Sequence, residues 1–240
     1  MIDLSRRDGR MLRIGHRGAA ALAPENTIES LRLALELGCD LVEFDVHDLD
    51  GTLVLVHDAP AGQAPELPTL DEALAFLAAT EAGAHLDLKA VGAENAVAEA
   101  LRRHGLVERT LVSSFRPETL RALAAAEPGV RLGLTYPEDR RGLGQRRAVA
   151  PLVGPALAAM RAALPFRLPR LLAGADASAA MLHFAVVSQA AVERCHSLGA
   201  PVLVWTVDDH AWLARLQAMG VDGVITNNPH IFDGWCTSQQ

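Results

Sequence analysis

The chain has 240 residues, half of them hydrophobic, with 19 glycines and a formal net charge of −7. That size suits one globular domain over 1–240 with ample core, and α/β barrels often reach it undivided. The acidic balance and the scatter of the arginines exclude nucleic acid as the main partner, because no basic stripe is available to track a phosphate backbone.

In chain order, the segment before the first motif lacks the apolar run of an export signal, which predicts a cytoplasmic protein. LRIG at 12–15 is the first β-run, and a helix is expected from Thr27, with Asn26 and Glu29 in the spacing of an N-cap box. LVEFDV, TLVLVHD, a helix from Thr69, HLDLK and a helix from Glu94 come next. TLVSSF, a helix from Glu118 and RLGLTY complete the first half. PEDRRGLGQRR reads as an exposed basic loop, and the proline-interrupted stretch from Arg146 to Leu172 as an irregular helix with its loops. LHFAVVS, a helix over QAAVERCHSLG, PVLVWTV, a helix over HAWLARLQAMG and VDGVITN close the series. No apolar run is long enough to span a bilayer, so no stable membrane insertion is expected. Cys39, Cys195 and Cys236 are odd in number and widely spaced, which suits reduced thiols better than a disulfide frame.

Strand and helix in alternation imply a parallel sheet. Nine β-runs are one too many for a closed eight-stranded barrel, and Asp50-Gly51 resolves the count. An Asp-Gly pair between alternating runs is a hairpin signal, and so short a connection joins only antiparallel strands. TLVLVHD is therefore a return arm after the second strand, and the fold expected is a (β/α)8 TIM barrel with that β-hairpin arm. A two-residue loop would set His57 opposite Phe44, and a three-residue loop would set it opposite Glu43. If His57 and Glu43 work together, the three-residue loop is the one expected.

Polar residues cluster where barrel strands end. Glu43 and Asp45 lie at i and i+2 and so point to one face, as do Asp87 and Lys89, while His16 follows the first strand. Carboxylates and histidines at the C-terminal ends of barrel strands read as an active site. The alternative is a ring of strand-end salt bridges around Lys89, which is the single lysine among 22 basic residues. Like charges crowded in one mouth raise each other's pKa values unless a cation joins them, which favours a site. Glu43, Asp45 and Asp87 form an all-oxygen cradle for a hard divalent cation, Mg²⁺ or Ca²⁺. His16 and His57 titrate near neutrality and can exchange acid and base roles, and Arg17 and Lys89 add fixed positive charge. Together these groups are suited to a phosphoryl group whose charge grows in the transition state, and phosphate-ester cleavage is the reaction class they indicate.

GHRGA at 15–19, PENT at 24–27, EFDV at 43–46, VHD at 56–58, LDLK at 86–89, VWTVD at 204–208 and DGVITNNP at 222–229 resemble, in order, the motifs of the glycerophosphodiester phosphodiesterases. These belong to the wider group of phospholipase-C-like phosphodiesterase barrels. The resemblance implies metal-dependent hydrolysis of a small phosphodiester to glycerol 3-phosphate and an alcohol, within lipid and glycerol metabolism. It implies His16 and His57 as the general acid/base pair, Glu43 and Asp45 as metal ligands, and Arg17 and Lys89 as phosphate contacts. The substrate's own 2-hydroxyl would attack phosphorus, and water would open the cyclic phosphate. Trp205 falls where the family has a pocket-wall aromatic.

Two departures stand out. Asp87 occupies the place of the family's usual glutamate ligand and is one methylene shorter. The connection APAGQAPELP lacks the small insertion common after the second His motif, which implies a more open mouth. Two alternatives follow: an enzyme for lysophospholipids or other bulkier diesters, or a phosphate-ester binding module without turnover.

Overall fold

The structure is a computed structural model that describes residues 1–58, 66–137 and 150–235, with the side chains of 150–153 left aside. Nine strands are present among the described residues: β1 (Leu12–Gly15), β2 (Leu41–Leu49), β3 (Thr52–Leu55), β4 (Gly83–Leu88), β5 (Thr110–Ser114), β6 (Arg131–Tyr136), β7 (Ala179–His183), β8 (Val202–Trp205) and β9 (Gly223–Thr226). The sheet order is β1-β9-β8-β7-β6-β5-β4-β2-β3, and a further β1–β2 pairing closes eight parallel strands into a barrel. Helices α1 (Ile28–Glu36), α2 (Leu70–Ala78), α3 (Glu94–Arg103), α4 (Pro117–Ala126), α5 (Ala150–Ala175), α6 (Gln189–Ser197) and α7 (His210–Met219) form the outer layer.

The hairpin arm is as expected, but its register is not. β3 pairs antiparallel to β2 with Val46 opposite Leu55 and Leu49 opposite Thr52, so the loop has two residues, not three. Asp50 and Gly51 have φ of 52° and 85°, the two positive values that a type I′ turn needs. In that register His57 would fall opposite Phe44, on the helix-facing side. It reaches the mouth because β3 ends at Leu55 and the last backbone bond to β2 is from Val56 N to Asp45 O, at 3.2 Å. His57 is one residue past the ladder and free of its parity.

Local sequence explains most element ends. Thr69 and Glu72 form a reciprocal capping box at α2, and Ser188 and Asp209 cap α6 and α7. The cap of α1 is Thr27, whose side chain accepts from Ser30 N, so the expected Asn26–Glu29 cap is corrected. The strand expected at LHFAVVS lies three residues earlier, over Ala179–His183, because Ser188 already serves as the α6 cap. The proline-rich stretch is one continuous helix, α5, in which Pro155, Pro165 and Pro169 are all accommodated. Leu164, Leu168, Leu172 and Ala175 give it a buried stripe at helical spacing. Most of PEDRRGLGQRR and the first part of APAGQAPELP lie outside the described residues, as does Cys236.

The inward-facing residues run from apolar to polar along each strand. Leu12, Ile14, Leu41, Leu111, Met181, Leu203 and Ile225 fill the barrel interior. Ile2 and Leu4 join them from below. At Gly83 a Cβ would come 2.8 Å from Ile2 Cδ1, so glycine there makes room for the plug. Continuing by twos, the same faces carry His16, Glu43, Asp45, Asp87, Ser113, Phe115 and Trp205 at the other end, all of which line one open cavity of about 150 Å³.

Candidate active site

The β1–α1 loop builds the first part of the site. His16 N extends the ladder by donating to Thr226 O at 2.7 Å, and Arg17 then adopts φ 49°. The turn continues through Gly18, where a Cβ would meet Ser30 backbone and side-chain atoms at 2.2–2.5 Å, so only glycine fits against α1. In this turn Arg17 N donates to Glu43 Oε2 at 2.8 Å, and the guanidinium reaches Glu25 at 2.8 Å and Asp45 Oδ2 at 3.1 Å. Asn26, buried with φ 58°, clamps Asp45 from two sides: its amide donates to Asp45 Oδ2 at 3.0 Å, and its carbonyl accepts from Asp45 N at 3.0 Å.

Strand register brings the carboxylates together. Asp45 on β2 is paired with Asp87 on β4, and Glu43 with His85. Glu43, Asp45 and Asp87 are all buried, and each offers an oxygen within 4.8 Å of the others. Lys89 Nζ lies 3.0 Å from Asp45 Oδ1, hydrogen-bonds Asp87 Oδ2, and sits 5.4 Å over the Phe115 ring. Ser113 on β5 donates to Asp87 Oδ1 at 2.9 Å and lies 2.9 Å from His85 Nε2.

The charges do not balance within this cluster. Burial works against ionisation of Asp45, but Lys89, Arg17 and the Asn26 amide outweigh it and hold the carboxyl below its usual value. Burial also opposes the Lys89 charge, and Asp87 and Asp45 more than restore it, so the ammonium is held above its ordinary value. Glu43 feels Lys89 too weakly for the same effect. Its burial, followed by the nearby Asp45 and Asp87, pushes its carboxyl well above the usual value. One more positive charge would let all three ionise, and an all-oxygen donor set fits a hard divalent ion. The residues present therefore fit a metal.

The histidines differ. Burial pulls His16 below its ordinary value despite the bond from its Nδ1 to Asn227 Oδ1 at 2.6 Å, and its Nε2 lies 3.9 Å from Glu43 Oε2. His57 is partly exposed, with Nδ1 3.0 Å from Asp58 and its carbonyl accepting from His47 Nε2 at 3.1 Å. Burial pushes His85 down to about 3, so it is a neutral hydrogen-bonding residue beneath the carboxylates. Trp205 forms the opposite wall, edge-on to His183 and Phe115 at 4.9 and 5.9 Å between ring centroids, with Nε1 donating to Met181 O.

All eight residues singled out in the sequence, His16, Arg17, Glu43, Asp45, His57, Asp87, Lys89 and Trp205, line this one cavity. Sequence reasoning missed Ser113 and Phe115, which carry the same inward parity at the end of β5. It took Asn26 for a helix cap. It left Asp208 and Asn227 without a definite role.

Comparison with known proteins agrees with this geometry. The glycerophosphoryl diester phosphodiesterase family matches residues 16–75 and 67–231. A glycerophosphodiester phosphodiesterase of Caldanaerobacter subterraneus subsp. tengcongensis is 26% identical over 90% of this chain and 93% of its own. Among solved structures, a phosphodiesterase of Oleispira antarctica in complex with the product sn-glycerol-3-phosphate superposes with a TM-score of 0.72 at 24% identity, covering 93% of this chain and 95% of that one. A glycerophosphodiester phosphodiesterase of Agrobacterium tumefaciens gives 0.69 at 24% identity, over 92% and 98%. At such identities the structural likeness speaks for the fold alone, but the family match runs from His16 through the last strand and takes in every residue of the acidic, basic and histidine cluster. The chain belongs to the glycerophosphoryl diester phosphodiesterase family.

Proposed function

We propose that the protein hydrolyses glycerophosphodiesters to glycerol 3-phosphate and an alcohol. The observation that carries this is the convergence of three buried carboxylates, two histidines, Arg17 and Lys89 in one cavity at the C-terminal end of the barrel. Glu43, Asp45 and Asp87 would hold one divalent ion, Mg²⁺ or Ca²⁺, which supplies Lewis-acid stabilisation of a phosphoryl oxygen. Arg17 and Lys89 hold the phosphate. One histidine takes the proton of the substrate's 2-hydroxyl as it attacks phosphorus, and the other protonates the departing alkoxide. The roles reverse when water opens the cyclic phosphate. An internal nucleophile is already in place, so proton transfer and charge stabilisation are the remaining tasks of the site.

The short connection after Asp58 and the aromatic wall around Trp205 support room for bulkier diesters, lysophospholipids included. The buried free thiols Cys39 and Cys195 are compatible with a reducing, cytoplasmic setting. No helix among the described residues is long and apolar enough to cross a membrane. A panel of glycerophosphodiesters and lysophospholipids, assayed for released glycerol 3-phosphate or alcohol with Mg²⁺, Ca²⁺ or a chelator, tests the reading. Activity with metal and loss with chelator are expected. Chelator-insensitive turnover would remove the metal, and tight ester binding without turnover would leave a binding module.

A further inference from the structure

Behind His16 lies a short chain of polar groups that the reaction scheme does not use. Asp208, just beyond β8, accepts three hydrogen bonds from the end of β9. Its Oδ1 takes the backbone N–H of Asn227 at 2.8 Å and the Thr226 hydroxyl at 3.0 Å, and its Oδ2 takes the Asn227 side-chain amide at 2.6 Å. Asn227 Oδ1 then meets His16 Nδ1 at 2.6 Å.

The polarity of this chain has one solution. An ionised carboxylate only accepts, so the Asn227 NH₂ must face Asp208 and its carbonyl must face His16. A carbonyl also only accepts, so His16 Nδ1 must carry the hydrogen. In neutral His16 the lone pair is then at Nε2, the atom turned toward Glu43 and the cavity. We infer that Asp208 and Asn227 are positioning residues that lock His16 as the Nδ1–H tautomer, and so make its Nε2 the base that takes the 2-hydroxyl proton. After that transfer both ring nitrogens are protonated and Nδ1 still donates to Asn227, so the ring keeps its place. His57 supplies the proton to the leaving alkoxide. The assignment of base and acid rests on the hydrolase reading above; the tautomer does not.

One atom decides the direction. In Asp208→Asn the backbone N–H of Asn227 still requires an oxygen at the Oδ1 position, so the new NH₂ replaces Oδ2. Asn227 must then turn its carbonyl toward residue 208 and its NH₂ toward His16, and Nδ1 becomes the acceptor. The base would move to the wrong nitrogen while size and fold are kept. Adding Asn227→Asp reverses this: residue 227 then accepts from both sides, and the Nδ1–H form returns.

The test is long-range ¹H–¹⁵N correlation of the metal-free full chain with ¹⁵N-labelled histidine, together with steady-state kinetics, with His16 assigned by its absence in His16→Gln. Expected are an Nδ1–H His16 in the starting protein, an Nε2–H His16 in Asp208→Asn, and the Nδ1–H form again in the double variant. The kcat should follow, falling at least tenfold in Asp208→Asn with KM changed less than twofold, and recovering at least partly in the double variant. An Nε2–H His16 in the starting protein, or an unchanged tautomer in Asp208→Asn, would overturn the lock. Should Asp208→Asn fail to fold, Thr226→Val provides the control: it removes one bond to Asp208 but leaves the relay intact, so His16 must remain Nδ1–H, and any other tautomer overturns the lock. The spectra need no turnover, so an inactive starting protein with Nδ1–H His16 would support the lock and count against the hydrolase reading alone.

Discussion

The two sides of the cavity are built by different rules. On the side of β1, β2 and β4, each carboxylate is held by directed hydrogen bonds: Glu43 by the Arg17 backbone, Asp45 by Asn26, and Asp87 by Lys89, two residues along the chain, and by Ser113. On the side of β7 and β8, Trp205 lines the cavity and ring meets ring behind it: His183 lies 4.4 Å from Phe184 and 4.9 Å from Trp205, and Phe184 lies 5.2 Å from Trp212. Hydrogen bonds fix direction and distance to within a few tenths of an ångström, whereas ring contacts tolerate sliding. The first side is suited to fixed geometry, and the second to adjustment around whatever it holds.

The strongest challenge to that division is His57→Ala. On the acid/base role proposed for His57, its removal should lower kcat by about 10²- to 10⁴-fold, measured at saturating substrate. Near-full turnover would mean that the partly exposed histidine is not part of the fixed side. A smaller effect concerns Glu43. Its pKa is raised in the metal-free protein, so it keeps a proton above the usual carboxylate range and must lose it to ligate a cation. Affinity for Mg²⁺ or Ca²⁺ should therefore rise with pH, by up to about tenfold per unit for one proton, and level off above the Glu43 pKa. Calorimetry in two buffers of different ionisation heat would report the released proton, and binding without release would place the ion elsewhere. The smallest effect belongs to the aromatic side. Trp205→Leu should change KM by roughly threefold to tenfold, in line with the loss of one ring contact of about 0.5–1.5 kcal/mol, with kcat held. A large loss of kcat instead would erase the distinction between the two sides.

Periodic features of the sequence carried over well to the structure. Strand and helix alternate with different hydrophobic periods, Asp50-Gly51 marks its own turn, and residues two apart on a strand must share a face, so the barrel, the arm and the carboxylate cluster were all legible. The misses came where one local pattern serves two purposes. Asn-x-x-Glu is the spacing of a cap, and nothing within α1 tells that Asn26 turns inward to Asp45 while Thr27 does the capping. Similarly, the hairpin register was inferred from where His57 had to go, on the premise that the ladder reaches it, but the chain leaves the ladder at Val56. The Asp208–Asn227–His16 connection joins the ends of the last two strands to the end of the first, 211 residues away from Asn227 in sequence, so no spacing announces it. Three prolines in the interior of α5 argued against a continuous helix, yet Leu164, Leu168, Leu172 and Ala175 anchor it through tertiary packing.

Ile2 and Leu4 make the barrel a blind well instead of a channel. Among the described residues the apolar layer they complete closes the end opposite the carboxylates, so solvent reaches Glu43 only from the mouth. Whatever seats itself in that mouth also acts as its stopper. As an ester enters, the water it displaces has no rear passage by which to return, and the local dielectric falls around the groups beneath it. Charged groups at that depth then act on a bound ester more strongly than they would in an open groove, and the ester itself creates that dryness.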